Sequence, residues 1–408
     1  MTVRVNRNQY LAKLKNYINE PELVKIITGM RRTGKSVLLE QIQELLIADG
    51  VPEENILAYN FEDLSWREYR DSLRLHDHLR AEIAKRTGRV YLFFDELQEV
   101  EAWETCINSI RASTDTDIYV TGSNAHMLSD EFATYLAGRY IEIQMYPLSF
   151  AEFSDFAALI SPDTNQEELF SSYLKIGGLP FASELSLKGS EVTQYLQDIY
   201  SSVVIKDIIQ RNKIRDVVLL RKIVEYVIAN TSKTFSARSI SKFFKSEGRT
   251  VAPETILNYL RSCEDAFLFE RINRYDVPGK RQLETNEKYY LTDHGLREAL
   301  TGRNADDIEL VLENIVCIEL KRRGYKVFIG KVGDLEVDFI AEKADQKCYF
   351  QVCYLLESEA TIDREYRALE MIEDNYPKFV ISMDTIRRSR NGITNINITD
   401  FLLSNNWE

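Results

Sequence analysis

"LVKIITGMRRTGKSVLLEQIQELL", residues 23–46, decides the fold of this chain. An apolar run leads into a glycine-bounded loop, and the loop into an amphipathic helical pattern. The loop and first helical residue are Gly29, Met30, Arg31, Arg32, Thr33, Gly34, Lys35, Ser36 and Val37. Residues 29–36 fit G-x-x-x-x-G-K-[ST]. Glycine lets the backbone curl so that successive N–H groups face phosphate oxygens. Lys35 would reach the β- and γ-phosphates, Ser36 would hold magnesium, and the helix behind them adds its positive end. The strand before and helix after are the context such a loop requires, so the spacing predicts a phosphate-binding site.

Two further strands support it. "RVYLFFDELQEV" (89–100) is an unalternating apolar run ending in Asp95 and Glu96. Such a run, flanked by helical patterns, suits a parallel sheet. Asp95 would help hold magnesium, directly or through water. Glu96 would polarise the attacking water as general base. "TDIYVTGSNAHML" (116–128) ends in polar residues, and ligands sit beyond the C-terminal strand ends of open α/β sheets. Ser123 first, and Asn124 second, are placed to sense a γ-phosphate and orient water. The alternative is that they cap a helix over 126–136.

Composition bounds the rest. At 408 residues the chain is expected to hold two or three domains. With 44% hydrophobic and 28% charged residues and a net charge of −13, it reads as soluble and globular, without a generally nucleic-acid-coating surface. No apolar run of about 18 residues predicts a membrane span. The start lacks the apolar core of a signal peptide. Five scattered cysteines suit buried thiols in a reducing cytoplasm. His76 and His78 flank Asp77 on a polar, helical stretch and read as a solvated face.

The middle of the chain is helical to about residue 230, interrupted by "KIGGLP" (175–180), which favours a turn. Residues 216–300 then read as three helices and a hairpin: "VVLLRKIVEYVIANT", "SARSISKFFKSEG", "APETILNYLRSCEDA", and the strands "FLFERINRYD" and "EKYYLTD". Serine before the second helix and proline at the start of the third are terminus signals. This is helix-turn-helix order with a wing, residues 252–266 being the reading-type helix. Residues 232–281 carry ten Lys and Arg against six Asp and Glu, a net +4. Lys242, Lys245, Arg249, Arg261, Arg271, Arg274, Lys280 and Arg281 can line a phosphate-binding face. Winged helices also dock proteins, and Glu254, Glu264 and Asp265 lie on or beside the reading helix, so duplex DNA and a protein partner both stand.

The loop with its paired arginines, "FDELQ", "TGSNAHML" and "LAGRYIEIQMYPLSFAEF" (136–153) together resemble a bacterial and archaeal family of AAA-type ATPases. Its members carry a C-terminal extension, and the resemblance spans essentially the whole chain. It implies an α/β fold: a P-loop domain of additional-strand type with a parallel sheet, over 1–160. A helical hinge (161–215), a winged helix (216–300) and a small α/β nuclease-like domain (301–408) follow. It implies ATP as the nucleotide, and an arginine at Arg139 that stabilises transition-state charge in cis or from a neighbouring copy. A salt bridge is the other reading of Arg139. Arg31 and Arg32 either touch phosphate or lock the loop to an acidic neighbour. Oligomers are compatible with the family.

From residue 308 the pattern is helix, strand, strand, strand, helix, strand. That order resembles the PD-(D/E)XK nuclease core, whose metal and catalytic positions match Glu313, Asp338, Gln351 and Cys353, with Glu336 on the face of Asp338. Magnesium prefers charged oxygen ligands, and Gln351 offers a neutral carbonyl. Cys353 replaces the lysine, and Lys347 lies six residues upstream, too far to substitute. The expectation is a nuclease-derived scaffold without nuclease activity, with Arg364 and Glu365 as a structural ion pair. The reading is therefore a magnesium-dependent ATPase coupled to a DNA- or protein-binding C-terminal half. The alternatives are a slow nucleotide-gated signalling or defence switch, and an ATP-dependent DNA nuclease.

Overall fold

The computed structural model describes residues 4–128, 136, 138–279, 281–302 and 307–404. The chain divides into two compact units, Met1–Met145 with Asp265–Phe267, and Tyr146–Glu264 with Leu268–Glu408.

The first unit contains α1 (Asn8–Lys15), β1 (Val24–Thr28), α2 (Lys35–Ala48), β2 (Ile56–Asn60), α3 (Ser72–Ile83), β3 (Val90–Asp95), α4 (Trp103–Ser113), β4 (Thr116–Gly122) and β5 (Tyr140–Gln144). Its five strands are all parallel, in the order β2-β3-β4-β1-β5. An extra strand, β4, therefore separates the loop strand β1 from the Asp95 strand β3, as expected. Strands β1 and β4 are buried at every residue because helices cover both faces of the sheet. Alternation sends Val24, Ile26, Leu92, Phe94 and Val120 to one core. Ile27, Tyr91, Phe93 and Tyr119 go to the other, against Leu38 and Ile42 of α2. Lys25 interrupts this pattern: it is fully buried and ion-paired with Asp117. His78 does not lie on a solvated face; it packs against the rings of Tyr59, Trp66 and Tyr69. A short helical turn, Ala125–Leu128, follows β4, and most of the helix expected to 136 falls outside the described residues.

The second unit begins with α5 (Phe150–Ile160), α6 (Gln166–Ile176), α7 (Pro180–Leu187) and α8 (Thr193–Ser202). Ser149 and Glu152 form a reciprocal capping box at the start of α5. The "GGLP" turn is present, yet its glycines are packed. Gly178 N–H donates to the Asp293 carboxylate at 2.8 Å. A Cβ on Gly177 would lie 2.0 Å from the same carboxylate. Next come α9 (Val217–Ala229), α10 (Ala237–Ser246) and α11 (Pro253–Asp265), then the antiparallel hairpin β6 (Phe269–Asp276) and β7 (Arg281–Leu291). The remaining elements are α12 (His294–Thr301), α13 (Ile308–Arg322), β8 (Lys326–Val332), β9 (Leu335–Lys343), β10 (Gln346–Val352), α14 (Glu359–Glu370), β11 (Lys378–Ser382), β12 (Thr394–Asn397) and α15 (Ile398–Leu403).

The hairpin crosses the boundary expected at residue 300. β6 pairs in parallel with β8 through Arg274↔Ile329, Tyr275↔Gly330 and Asp276↔Lys331. One seven-stranded sheet results, in the order β12-β11-β10-β9-β8-β6-β7. The periodicity that marks a strand carries no information about which distant edge it joins. Cysteines 106, 263, 317, 348 and 353 are buried and in no disulfide. Among the described residues no helix is long and apolar enough to cross a membrane.

Candidate functional site

The loop between β1 and α2 is shaped by its glycines. Gly29 has φ 143°, and a Cβ there would lie 2.3 Å from the Met145 carbonyl oxygen. Gly34, at φ 96°, is the N-cap of α2. Both conformations exclude ordinary side chains. The Lys35 ammonium donates to the carbonyls of Gly29 at 2.9 Å and Met30 at 3.1 Å, and lies 3.9 Å from Glu96 Oε1. It is thus held across the loop mouth, where incoming phosphate oxygens can replace backbone partners. Thr33 is buried and its hydroxyl donates to the Met30 carbonyl. Ser36 is exposed at the head of the helix, Arg32 is exposed with φ 68°, and Val37 is half-buried. Arg31 donates to Glu62 at 2.9 Å, which realises the lock to an acidic neighbour.

Asp95 ends β3, where Thr121 of β4 and Ser36 both donate to it. Burial pushes its pKa up, against these hydrogen bonds. Its oxygen, with the Ser36 hydroxyl, makes a hard donor set that fits magnesium. Glu96 follows in a left-handed conformation, φ 53°, pinned through its N–H to Thr121 Oγ1 at 3.0 Å. Burial alone would raise the Glu96 pKa, but Lys35, Arg31, Gln98 and Ser123 together hold it below the usual value. Ser123 and Gln98 both donate to Glu96 Oε2, the former at 3.1 Å. Ser123 and Asn124 are fully buried. Lys35, Ser36, Asp95, Glu96 and Ser123 therefore come together.

Arg139 does not join them. It is exposed and its carbonyl accepts from Val24 N–H, at the start of β1. The register Val24↔Tyr140 to Thr28↔Gln144 puts it at the opposite end of the strands from the loop. At about 3.3 Å per residue the offset is roughly 16 Å, beyond an arginine's reach. The cis reading of this residue does not fit. Sequence reading also missed Arg7, Gln98 and the role of Thr121. Gln98 and Thr121 stand inside quoted motifs and their polarity was a usable signal. Arg7 gave none: it is buried and donates to the Thr33 carbonyl at 3.1 Å, 26 residues away.

In the second unit Glu313 (α13), Glu336 and Asp338 (β9) do converge, but around a cation the sequence reading did not foresee. Lys288 of β7 lies 2.9 Å from Glu313, 2.8 Å from Glu336 and 4.0 Å from Asp338. Gln351 is turned inward, its amide oxygen 3.4 Å from Asp338 N. Cys353 is not at the cluster: its side chain packs with Tyr349, Ile362, Tyr366 and Leu369. Burial pushes its thiol pKa far up, so it offers no thiolate. Lys347 instead pairs with Glu342 and sits over the rings of Tyr275, Tyr349 and Tyr376. Arg364 and Glu365 pair at 2.7 Å. Of the expected basic face, Lys242, Lys245 and Arg261 are exposed. Arg249 pairs with Asp216, Arg271 with Glu264 and Arg281 with Asp276. Arg274 is half-buried on β6, and Lys280 lies outside the described residues.

Comparison with known proteins follows the same division. Residues 21–154 match a family model described as an AAA domain, and residues 167–307 match a domain of unknown function. An uncharacterized protein of Haemophilus influenzae is 37% identical over 400 residues, covering 98% of each chain. An uncharacterized protein of Methanocaldococcus jannaschii is 28% identical over 400 residues, covering 93% of this chain and 85% of the relative. Among solved structures, AMPPCP-bound DnaA from Aquifex aeolicus aligns at 16% identity over 65% of this chain and 89% of its own, with TM-score 0.35. That likeness is too slight to bear on this chain's function. The chain belongs to one family with its Haemophilus relative, and its residues 21–154 carry an AAA domain.

Proposed function

We propose that this AAA-type protein binds ATP with magnesium at Gly29–Val37 and hydrolyses it. The observation that carries the reading is the convergence of Lys35, Ser36, Asp95 and Glu96 at the C-terminal ends of β1 and β3. Lys35 exchanges its backbone carbonyls for phosphate oxygens. Ser36 and Asp95 would hold magnesium, which when bound neutralises charge on the phosphates. Glu96 is kept ionised by its surroundings and accepts a proton from water. Ser123 and Gln98 steady its carboxylate. Arg139 acts, if at all, on nucleotide held by a second copy. Phosphate release by the parent, Lys35→Ala and Glu96→Gln proteins tests the assignment. Parental rates in both variants would sink it.

A second reading, a slow nucleotide-gated switch, draws support from the same geometry. Glu96 Oε2 already accepts two hydrogen bonds and its carboxyl pKa is held below the usual value, which makes it a weaker base for water. For the C-terminal half, the order of three helices and a hairpin supports a winged helix over 216–300. Helix, three strands, helix and strand support a nuclease-like domain over 301–408. The exposed Lys242, Lys245 and Arg261 favour a modest phosphate-binding face for duplex DNA; the ion-paired arginines and Glu254 favour a protein partner. ATP turnover measured with duplex DNA across a salt series separates these. DNA stimulation that falls steeply with salt supports DNA. We place the protein in the cytoplasm on its AAA domain and buried thiols.

A further inference from the structure

Three carboxylates of the second unit converge, yet the cation they surround is part of the chain. Lys288 enters from β7, the far strand of the hairpin, and not from the strand where a nuclease lysine belongs. Its side chain is 4% exposed, and Glu313 and Asp338 are each 11% exposed. Two carboxylates contact its ammonium directly and a third lies at 4.0 Å.

We propose that the Lys288 ammonium permanently takes the place of a divalent metal ion, so that Glu313, Glu336 and Asp338 form a closed ion site locking the hairpin to α13 and β9. The geometry supports this: contacts of 2.8 and 2.9 Å are those of charge-assisted hydrogen bonds, with the ammonium filling the space between the carboxylates. Other donors hold the same carboxylates: Tyr290 at 2.6 Å on Glu313 Oε1, the oxygen that also meets Lys288, Val352 N–H at 2.8 Å on Asp338 Oδ2, and Thr234 at 3.3 Å on Glu336 Oε2. Among the described residues no group of three acidic, His or Cys side chains is arranged to hold a metal. A nuclease lysine must leave its ammonium available to water and a scissile phosphate; this one is enclosed by carboxylates. A cation tethered to β7 also joins elements that sequence reading assigned to separate domains, the hairpin and the C-terminal core.

The test starts with the parent protein, nucleotide-free, titrated calorimetrically with manganese beside Asp338→Asn. Identical isotherms are expected. Manganese binding that disappears in Asp338→Asn overturns the proposal, and this arm needs no destabilised variant. In the second arm, Lys288→Met is expected to melt several degrees below the parent, to regain much of that loss with calcium or manganese, and to regain part of it without metal when combined with Glu313→Gln. Any shift of the parent's melting temperature with metal should be the same in Asp338→Asn, as expected of binding at Ser36 and Asp95. A Lys288→Met protein as stable as the parent, or one destabilised and indifferent to both metals, overturns the substitution of ammonium for metal.

Discussion

Two buried lysines of this chain, Lys35 and Lys288, meet acidic side chains in different ways, and they differ in where the ammonium points. At the phosphate loop, Lys35 is bound to two backbone carbonyls and stands 3.9 Å from a single carboxylate. In the C-terminal sheet, Lys288 is bound directly to two carboxylates with a third close by. Neutral carbonyls release a lysine to phosphate far more readily than charged partners do, because separating a buried ion pair leaves uncompensated charge. Residue types alone therefore do not make a site; an open site is one whose cation has not already been neutralised. The pKa directions agree. Burial alone would raise Glu96, yet its surroundings hold it low and ionised. Burial and the neighbouring Glu313 push Asp338 well above the carboxylate range despite Lys288, as three acids around one base require.

The sharpest way to break this contrast is to exchange the sites' fates. Glu96→Gln should lower ATP turnover by about 10²–10⁴-fold while nucleotide binding survives, whereas Asp338→Asn should leave turnover at the parent rate. An equal loss in both variants would abolish the distinction. A second test concerns Lys25, the other lysine wholly enclosed by protein. Burial lowers its pKa against the opposing pull of Asp117. Lys25→Met should cost about 3–5 kcal/mol by leaving Asp117 unpaired, and Lys25→Met with Asp117→Asn should recover part of it in denaturant melts.

Smaller effects refine the picture. Arg7→Ala removes a buried donor from the Thr33 carbonyl. A loss of about 1–3 kcal/mol is expected for an acceptor so stranded, read as weaker nucleotide affinity with the catalytic rate little changed. Next to the glycine turn, two buried neighbours titrate in opposing senses. Burial lowers His294 to about 4, so the unfolded state takes up its proton first and this group's contribution falls as pH drops from the ordinary histidine range. Burial raises Asp293 to about 6, against hydrogen bonds from Gly178 and Gly295, so its contribution falls as pH rises toward 6. The two largely offset each other between pH 4 and 6. Asp293→Asn should therefore unmask an acid-labile protein, and His294→Gln one that gains stability on acidification, both visible in thermal melts across that range.

The nucleotide site was legible in the sequence because its chemistry is local. Gly29 to Ser36 must be contiguous for one backbone to curl around phosphate, and Asp95–Glu96 must end an apolar strand. Pattern alone therefore determined the loop and the parallel character of the first sheet, while the strand β4 between β1 and β3 was implied by the family resemblance. Other features depended on which distant segments meet. Arg139 looked like a partner of the loop until strand register put it at the far end of β5. Cys353 matched a lysine by position, while its side chain went into an apolar core. Lys288 and Glu313 are 25 residues apart in sequence, and Lys288 and Asp338 are 50, yet they share one cluster because β6 joins β8 and draws β7 beside α13. Sequence periodicity states which face of an element is buried; only the packed sheet decides which charges meet across that face, because burial makes their pairing obligatory once the edges have joined.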